Sequence, residues 1–82
     1  MKLPTSVEID IEEQFGYVYY VEDNPEVCET VDVWQEGRVA ADLDAAGNVI
    51  GIEVLGLDSE TLECARRYAA EHDLAFPDSL SP

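Results

Sequence analysis

Three carboxylates near the middle of the chain have the spacing of a calcium-binding loop. Asp42, Asp44 and Glu53 match loop positions 1, 3 and 12, and Gly47 matches position 6, where a sharp turn is needed. Calcium takes several oxygen ligands, so these carboxylates are the candidate metal ligands. Position 5 is Ala46, however, and the flanking segments have the pattern of strands rather than helices. A β-hairpin that needs no metal or other cofactor is therefore the preferred interpretation.

Residues for nucleophilic or acid–base catalysis are sparse. The one histidine, His72, falls near the end of an expected helix. A single histidine there is more often a residue at the boundary between core and solvent than a catalytic base. There is no nucleophile-elbow motif, phosphate-binding loop or zinc-type Cys/His spacing. Paired carboxylates such as Glu12 and Glu13 can transfer protons, but 19 Asp and Glu produce such pairs by chance. We expect a protein that is not an enzyme, with metal binding or a carboxylate-based activity as the alternative.

A further set of residues has the chemistry of a protein interface. If Tyr20 and Trp34 lie on the sheet face away from the helix, they can anchor a partner, because aromatic side chains concentrate binding energy. Glu8, Asp10 and Glu12 alternate with apolar residues in the first expected strand and are expected to face water. These five residues are the predicted partner-binding set. Core packing is the alternative for the two aromatic residues.

The charge balance restricts the classes of partner. There are 19 Asp and Glu against 4 Lys and Arg in 82 residues, which gives a net charge of −15. Between Glu8 and Asp32 every charged side chain is acidic. Such a field repels nucleic-acid phosphates and anionic membranes and attracts basic surfaces. We expect a basic protein partner, no direct nucleic-acid binding and no membrane binding. The alternative is that the charge serves solubility alone.

The cysteine content and the N-terminal residues predict a cytoplasmic protein. Cys28 and Cys64 are too few for the disulfide framework of a small secreted domain, so both are expected to be reduced thiols. Residues 1–6 lack the apolar run of a signal peptide. No stretch approaches the roughly 20 apolar residues that span a bilayer.

Alternation and turn residues predict five strands. Val7, Ile9 and Ile11 alternate with acidic residues, so all three are expected to face the core. The run 17–21 is apolar or aromatic on both faces, as in a central strand or one that meets another subunit. Turns are expected at 13–16, 22–25, 35–37 and 44–48. The expected strands are 7–12, 17–21, 27–34, 38–43 and 49–55.

A single helix is predicted over about 59–73, with Asp58 or Ser59 as its N-cap. The stripe expected to face the sheet contains Leu62, Ala65, Ala69 and His72. Residues 78–82 are expected to fray. The expected fold class is α+β: an antiparallel sheet of about five strands in meander order, over about 7–55, with one C-terminal helix packed on one face. Residues 1–82 are expected to form a single domain.

A motif in the second half of the sheet region resembles a known family. The run 39–55 contains Asp-x-Asp-x-x-Gly and then Gly-Ile-Glu, and it is preceded by Asp10 and by Tyr-Val at 17–18. On these residues, 7–55 resembles the domain-of-unknown-function 2283 family of small bacterial proteins. Ile9 stands where that family has a tyrosine, and residues 14–16 replace its Asp-Ala-Leu. The resemblance implies no assigned activity; family members beside toxin-like genes imply an antitoxin-type binding role.

The charge, the aromatic residues and the missing catalytic set together predict a small acidic interaction protein. We expect it to be antitoxin-like, or an inhibitor of a basic protein partner. Self-association through the sheet, as a homodimer, is expected because strands with apolar residues on both faces need covering on both sides.

Overall fold

The computed structural model describes residues 1–22 and 26–80, so most of the turn expected at 22–25 lies outside the described residues. Within them the chain forms five strands, one α-helix and a short 3₁₀ turn. The strands are β1 Ser6–Asp10, β2 Phe15–Tyr19, β3 Glu29–Trp34, β4 Val39–Leu43 and β5 Val49–Val54. The helix α1 spans Ser59–Glu71 and the 3₁₀ turn spans Asp78–Leu80. The α+β class, with antiparallel strands followed by one C-terminal helix, is confirmed.

The order of the strands differs from the expected meander. All pairs are antiparallel, but the order across the sheet is β1-β2-β5-β4-β3, with β5 in the centre. The meander prediction is therefore wrong for β2, which pairs with β5 instead of β3. The central position covers both edges of a strand, and β5 is the most completely buried of the five. The most apolar strand therefore takes the position at which least of it contacts water.

The core lies between the sheet and α1. One row of paired residues crosses all five strands on the side of the helix: Val7, Val18, Ile52, Ala41 and Val31. Three members of this row are fully buried, and the two on the edge strands are partly buried against the core. The helix contributes Leu62, Ala65 and Ala69, three of the four residues expected on its buried stripe. The fourth, His72, is exposed, because it follows the last helical residue.

The ends of α1 are fixed by local hydrogen bonds. Asp58 is the N-cap, as expected, and its carboxylate accepts from the Thr61 backbone N–H at 3.1 Å and from the Thr61 hydroxyl at 2.8 Å. These bonds lower the pKa of Asp58. At the other end Asp73 has φ 58°, and the Leu74 N–H bonds to the Ala69 carbonyl at 2.8 Å, which terminates the helix. No helix among the described residues is both long enough and apolar enough to cross a bilayer.

Two isoleucines expected in the core are exposed. Ile9, on the edge strand β1, is 39% exposed, and Ile11, which lies in the turn after that strand, is 73% exposed. The alternation of residues 7–12 is genuine, but β1 ends at Asp10. Of the three apolar residues only Val7 packs against the core, and α1 makes its main sheet contacts with β3, β4 and β5 rather than with β1.

The C-terminal segment reaches the core at Leu80, which corrects the expectation that residues 78–82 fray as far as the described residues 78–80 are concerned; residues 81–82 lie outside the described residues. Leu80 is only 2% exposed and belongs to the core cluster. It packs over Gly16 in β2: a Cβ at Gly16 would lie 3.0 Å from Leu80 Cδ2 and 3.0 Å from Val54 Cγ2. Gly16 was expected to end a turn. It instead leaves room for the returning tail.

We predict that Leu80→Ala lowers the free energy of unfolding by about 2–5 kcal/mol, because it opens a cavity under the tail. Leu3→Ala is the matched control: Leu3 is 72% exposed, and its loss should change stability by less than about 0.5 kcal/mol. Urea denaturation measures both variants. Equal midpoints for the two would show that the tail does not belong to the core.

Candidate functional site

The sheet face opposite α1 carries an aromatic and acidic surface, which we call the open face. It is formed by two cross-strand rows whose side chains point away from the helix. The first row is Glu8, Tyr17, Glu53, Ala40 and Asp32, and the second is Ser6, Tyr19, Gly51, Asp42 and Thr30. Tyr17, Tyr19, Asp42 and Glu53 are partly buried among their neighbours, whereas Glu8, Thr30 and Asp32 are exposed. The open face is the candidate functional site.

A hydrogen-bond network centred on Asp42 ties three strands together on this face. The Tyr17 phenol of β2 donates to Asp42 Oδ2, and the Thr30 hydroxyl of β3 donates to Asp42 Oδ1 at 2.6 Å. Both bonds have a charged acceptor, which makes them short and stronger than bonds between neutral groups. Asp42 therefore fixes the position of the Tyr17 ring across the face.

Gly51 makes this network possible. The Tyr17 side chain reaches from β2 to β4 by lying across the central strand at Gly51. A Cβ at position 51 would overlap the Tyr17 hydroxyl and the adjacent ring carbons. Any other residue at position 51 would therefore push the Tyr17 ring off the sheet and away from Asp42.

Tyr17 and Tyr19 form an aromatic pair at the centre of the open face. Their ring centroids are 4.4 Å apart and their planes are tilted by 49°. The two rings are therefore in contact, in an arrangement between stacked and edge-to-face. Burial, followed by the hydrogen bond to Asp42, raises the pKa of Tyr17, and burial together with the charge of Glu8 raises the pKa of Tyr19. Both phenols stay neutral, so the pair offers ring faces and hydroxyl groups and not a base.

The charges of the open face have one sign. Burial, and after it the neighbouring charge of Asp42, raises the pKa of Glu53. The cationic residues lie elsewhere. Arg38 Nε donates to Thr61 Oγ1 at 3.1 Å, beside the start of α1, and Arg66 Cζ lies 5.7 Å from the centroid of the Phe76 ring. Arg67 is on α1, and the backbone of Lys2 forms a bridge with Leu74 after the helix. All four Lys and Arg of the chain are thus off the open face.

The structure places the two predicted aromatic anchors on the core side. Tyr20 is fully buried, its hydroxyl donates to the Ala75 carbonyl at 2.9 Å, and burial raises its pKa to about 12. Trp34 packs partly buried against the core. The strand alternation put Trp34 on the side of Asp32, but a β-bulge between these residues lets Val33 and Trp34 both turn to the core. The condition for an anchoring role, a position on the open face, fails for both residues.

The three predicted acidic contacts have different positions. Glu8 lies on the open face directly opposite Tyr17, and Asp10 lies opposite Phe15 at the end of β1. The Asp10 carboxylate also accepts from the Glu13 N–H at 3.1 Å, which closes the turn. Glu12 lies in that turn and is exposed, so it is outside the open face. Glu8 is therefore the predicted residue that the fold brings to the tyrosine pair.

The three candidate metal ligands are divided between two places: Asp42 and Glu53 are on the open face, and Asp44 lies in the hairpin turn. Asp44 Oδ1 accepts from the N–H groups of Ala46 and Asn48, each at 2.9 Å, and these bonds lower the pKa of Asp44. The Asp42 oxygens accept from two hydroxyl groups on the open face. In the described part of the chain no three His, Cys, Asp or Glu side chains are grouped to hold a metal. The loop is a β-hairpin turn with Gly47 at φ 84°, as the hairpin interpretation expects.

The sequence pattern places Tyr17 and Tyr19 on one strand face but does not mark them as a site. Their two-residue spacing within a strand was the available signal. The contribution of Thr30 and Gly51 had no sequence signal, because it depends on β5 lying between β2 and β4.

The fold and this face define a class: a small two-layer α+β domain that presents an aromatic and acidic sheet surface. No protein-family model, curated protein or solved structure matches the chain. The similarity to the domain-of-unknown-function 2283 family therefore rests on the motif residues alone and stays a prediction.

We predict that the Tyr17–Asp42 bond depends on Gly51. Tyr17→Phe should lower the free energy of unfolding by about 1 kcal/mol in the wild-type background, and by close to zero in a Gly51→Ala background, where the ring is already displaced. Tyr20→Phe is the control, because its hydroxyl bonds to Ala75 far from Gly51. Tyr20→Phe should lower the free energy of unfolding by the same amount in both backgrounds, as measured by urea denaturation. Equal costs for Tyr17→Phe in the two backgrounds would contradict the arrangement.

We also predict that alkali destabilises the fold. In the unfolded chain tyrosines ionise near pH 10, whereas in the folded chain the pKa values of Tyr17 and Tyr20 are raised. The native state then binds more protons than the unfolded state above about pH 10, so stability falls as pH rises through this window. Urea midpoints measured across the window should decline, and the decline should be smaller in a Tyr17→Phe/Tyr20→Phe variant. A midpoint independent of pH would refute this coupling.

Proposed function

We propose that this protein is a small acidic interaction module, antitoxin-like or inhibitory, that binds a basic protein partner through the open face. The observation that carries the proposal is the separation of charge. Glu8 and Glu53 are opposite Tyr17, Asp42 accepts a hydrogen bond from its phenol, and Asp32 lies further along the same face, while every Lys and Arg lies elsewhere. A surface with one sign of charge attracts an oppositely charged partner and orients it during encounter.

The open face has a modest size and a suitable composition. It is five strands wide and five to six residues long, so it covers roughly 24 × 18 Å, or about 400 Å². This is about half of the roughly 800 Å² that a standard interface buries on each partner, and it suits a small contact guided by charge. Tyrosines at the centre with polar groups around them match the usual anatomy of interfaces. These properties support binding of a folded protein.

An inhibitory role would follow from the density of carboxylates. Acidic side chains spread over a sheet can occupy the basic surface of a nucleic-acid-binding protein in place of phosphates. The motif resemblance to a family with members beside toxin-like genes supports the antitoxin-like form of this role. The free thiols of Cys28 and Cys64 support the cytoplasm as its location.

Self-association through the sheet is a further part of the proposal, and the charge sets its conditions. Two open faces would bring like charges together, so a homodimer through this face should form only where salt screens them. Light scattering coupled to gel filtration, at low and high salt, measures this. A dimer at low salt would place the dimer contact on another surface.

We predict that partner capture depends on the open face and not on total charge. Immobilised wild-type protein should retain basic proteins from a bacterial lysate at low salt and release them as salt rises. Glu8→Gln/Glu53→Gln should lose this capture. The matched control is Glu60→Gln/Glu71→Gln, which removes two exposed carboxylates from α1. Its net charge equals that of Glu8→Gln/Glu53→Gln. The proposal fails if no basic protein is captured, or if both variants lose it equally.

A further inference from the structure

We propose that Tyr17, Tyr19, Glu8 and Glu53 form an arginine-binding patch, the tyrosine patch, that takes arginine side chains presented by a basic protein. This inference deepens the proposed function and rests on it, since it names the chemistry by which the partner would be recognised. The tyrosine patch occupies the half of the open face that runs from the edge strand β1 through β2 to the central strand β5.

The geometry of the patch suits a guanidinium group. Glu8 and Glu53 are directly opposite Tyr17 on its two neighbouring strands, so a carboxylate lies on either side of the ring pair. A guanidinium stacks on an aromatic ring and donates from its edge to carboxylates in the same plane. The patch therefore offers ring faces and charged acceptors together.

The patch is held in place before any partner arrives. Tyr17 is fixed by its hydrogen bond to Asp42, which Thr30 holds in turn at 2.6 Å. Tyr19 packs against the Tyr17 ring with a centroid distance of 4.4 Å. Rigid aromatic groups lose little conformational entropy on binding, so this positioning favours affinity. Asp42 and Thr30 are positioning residues here.

Charge complementarity selects a basic protein as the occupant. The open face has no cationic side chain of its own, so a second copy in a face-to-face arrangement would bring no cation to the patch. The two glutamates are on different strands, with β2 between them. They can therefore accept from separate side chains of one partner surface. Arginine is favoured over lysine because its planar group can stack and donate at the same time.

The test uses a defined probe, a short peptide of alternating arginine and serine, compared with the same peptide carrying lysine at each arginine. Titration of isotope-labelled wild-type protein at low salt should shift backbone amide signals of β1, β2 and β5 and leave those of α1 unchanged. The arginine peptide should bind more tightly than the lysine peptide. Shifts confined to α1, or equal affinity for the two peptides, would overturn the inference.

A pair of variants separates the ring contribution from the charge contribution. Tyr19→Leu keeps apolar bulk but removes the ring, and it should weaken arginine-peptide binding by roughly two- to fivefold. Tyr68→Leu, on the helix, is the aromatic control and should leave the affinity unchanged. Glu8→Gln/Glu53→Gln should weaken both peptides, whereas Glu60→Gln/Glu71→Gln should weaken neither. Thermal unfolding establishes that each variant is folded, and the wild-type titration tests the inference even where one is not.

The outcomes distinguish this inference from the proposed function. If lysate capture is lost in Glu8→Gln/Glu53→Gln but the two peptides bind equally, the open face is the interface and arginine recognition is wrong. If the arginine peptide shifts β2 and β5 but nothing is captured from the lysate, the patch stands and the proposed function fails. If neither peptide binds at low salt, the tyrosine patch is not an arginine site.

Discussion

The central strand β5 is the constraint on which the rest of the structure depends. Its position joins β2 to β4 and brings Ile52 and Val54 against the helix, so that the core forms around it. The same strand carries Gly51 on its other side, and the missing side chain there lets Tyr17 cross to Asp42. One strand thereby supports the core on one face and the candidate site on the other.

The two faces of the sheet differ in their side chains and in their contact with water. On the helix side, apolar rows are removed from water, which supplies the main stabilisation of a small domain. On the open face, burial and, after it, the charge of Asp42 raise the pKa of Glu53, a carboxyl group directly opposite Tyr17. A surface that keeps such a carboxyl group beside partly exposed aromatic rings is a candidate binding site.

Much of the fold was predictable because it follows local rules. The alternation of Tyr17, Val18, Tyr19 and Tyr20 set which side chains share a face, and Asp58 marked the start of α1. The strand order could not be predicted, since a meander and the observed order satisfy the same alternation of apolar and polar residues. Ile11 and Trp34 were misplaced for local reasons that the pattern does not contain, namely an early strand end and a β-bulge.

The sequence by itself determined the α+β class, the helix with its cap, the hairpin at Gly47 and the acidic charge, because these depend on neighbouring residues or on composition. Tertiary structure alone decided that Leu80 returns to the core over Gly16, and that Thr30, Asp42, Gly51 and the two tyrosines meet on one face. Those contacts join residues distant in the chain. They exist only because β5, the most apolar strand, is most stable at the centre of the sheet, where its neighbours are β2 and β4.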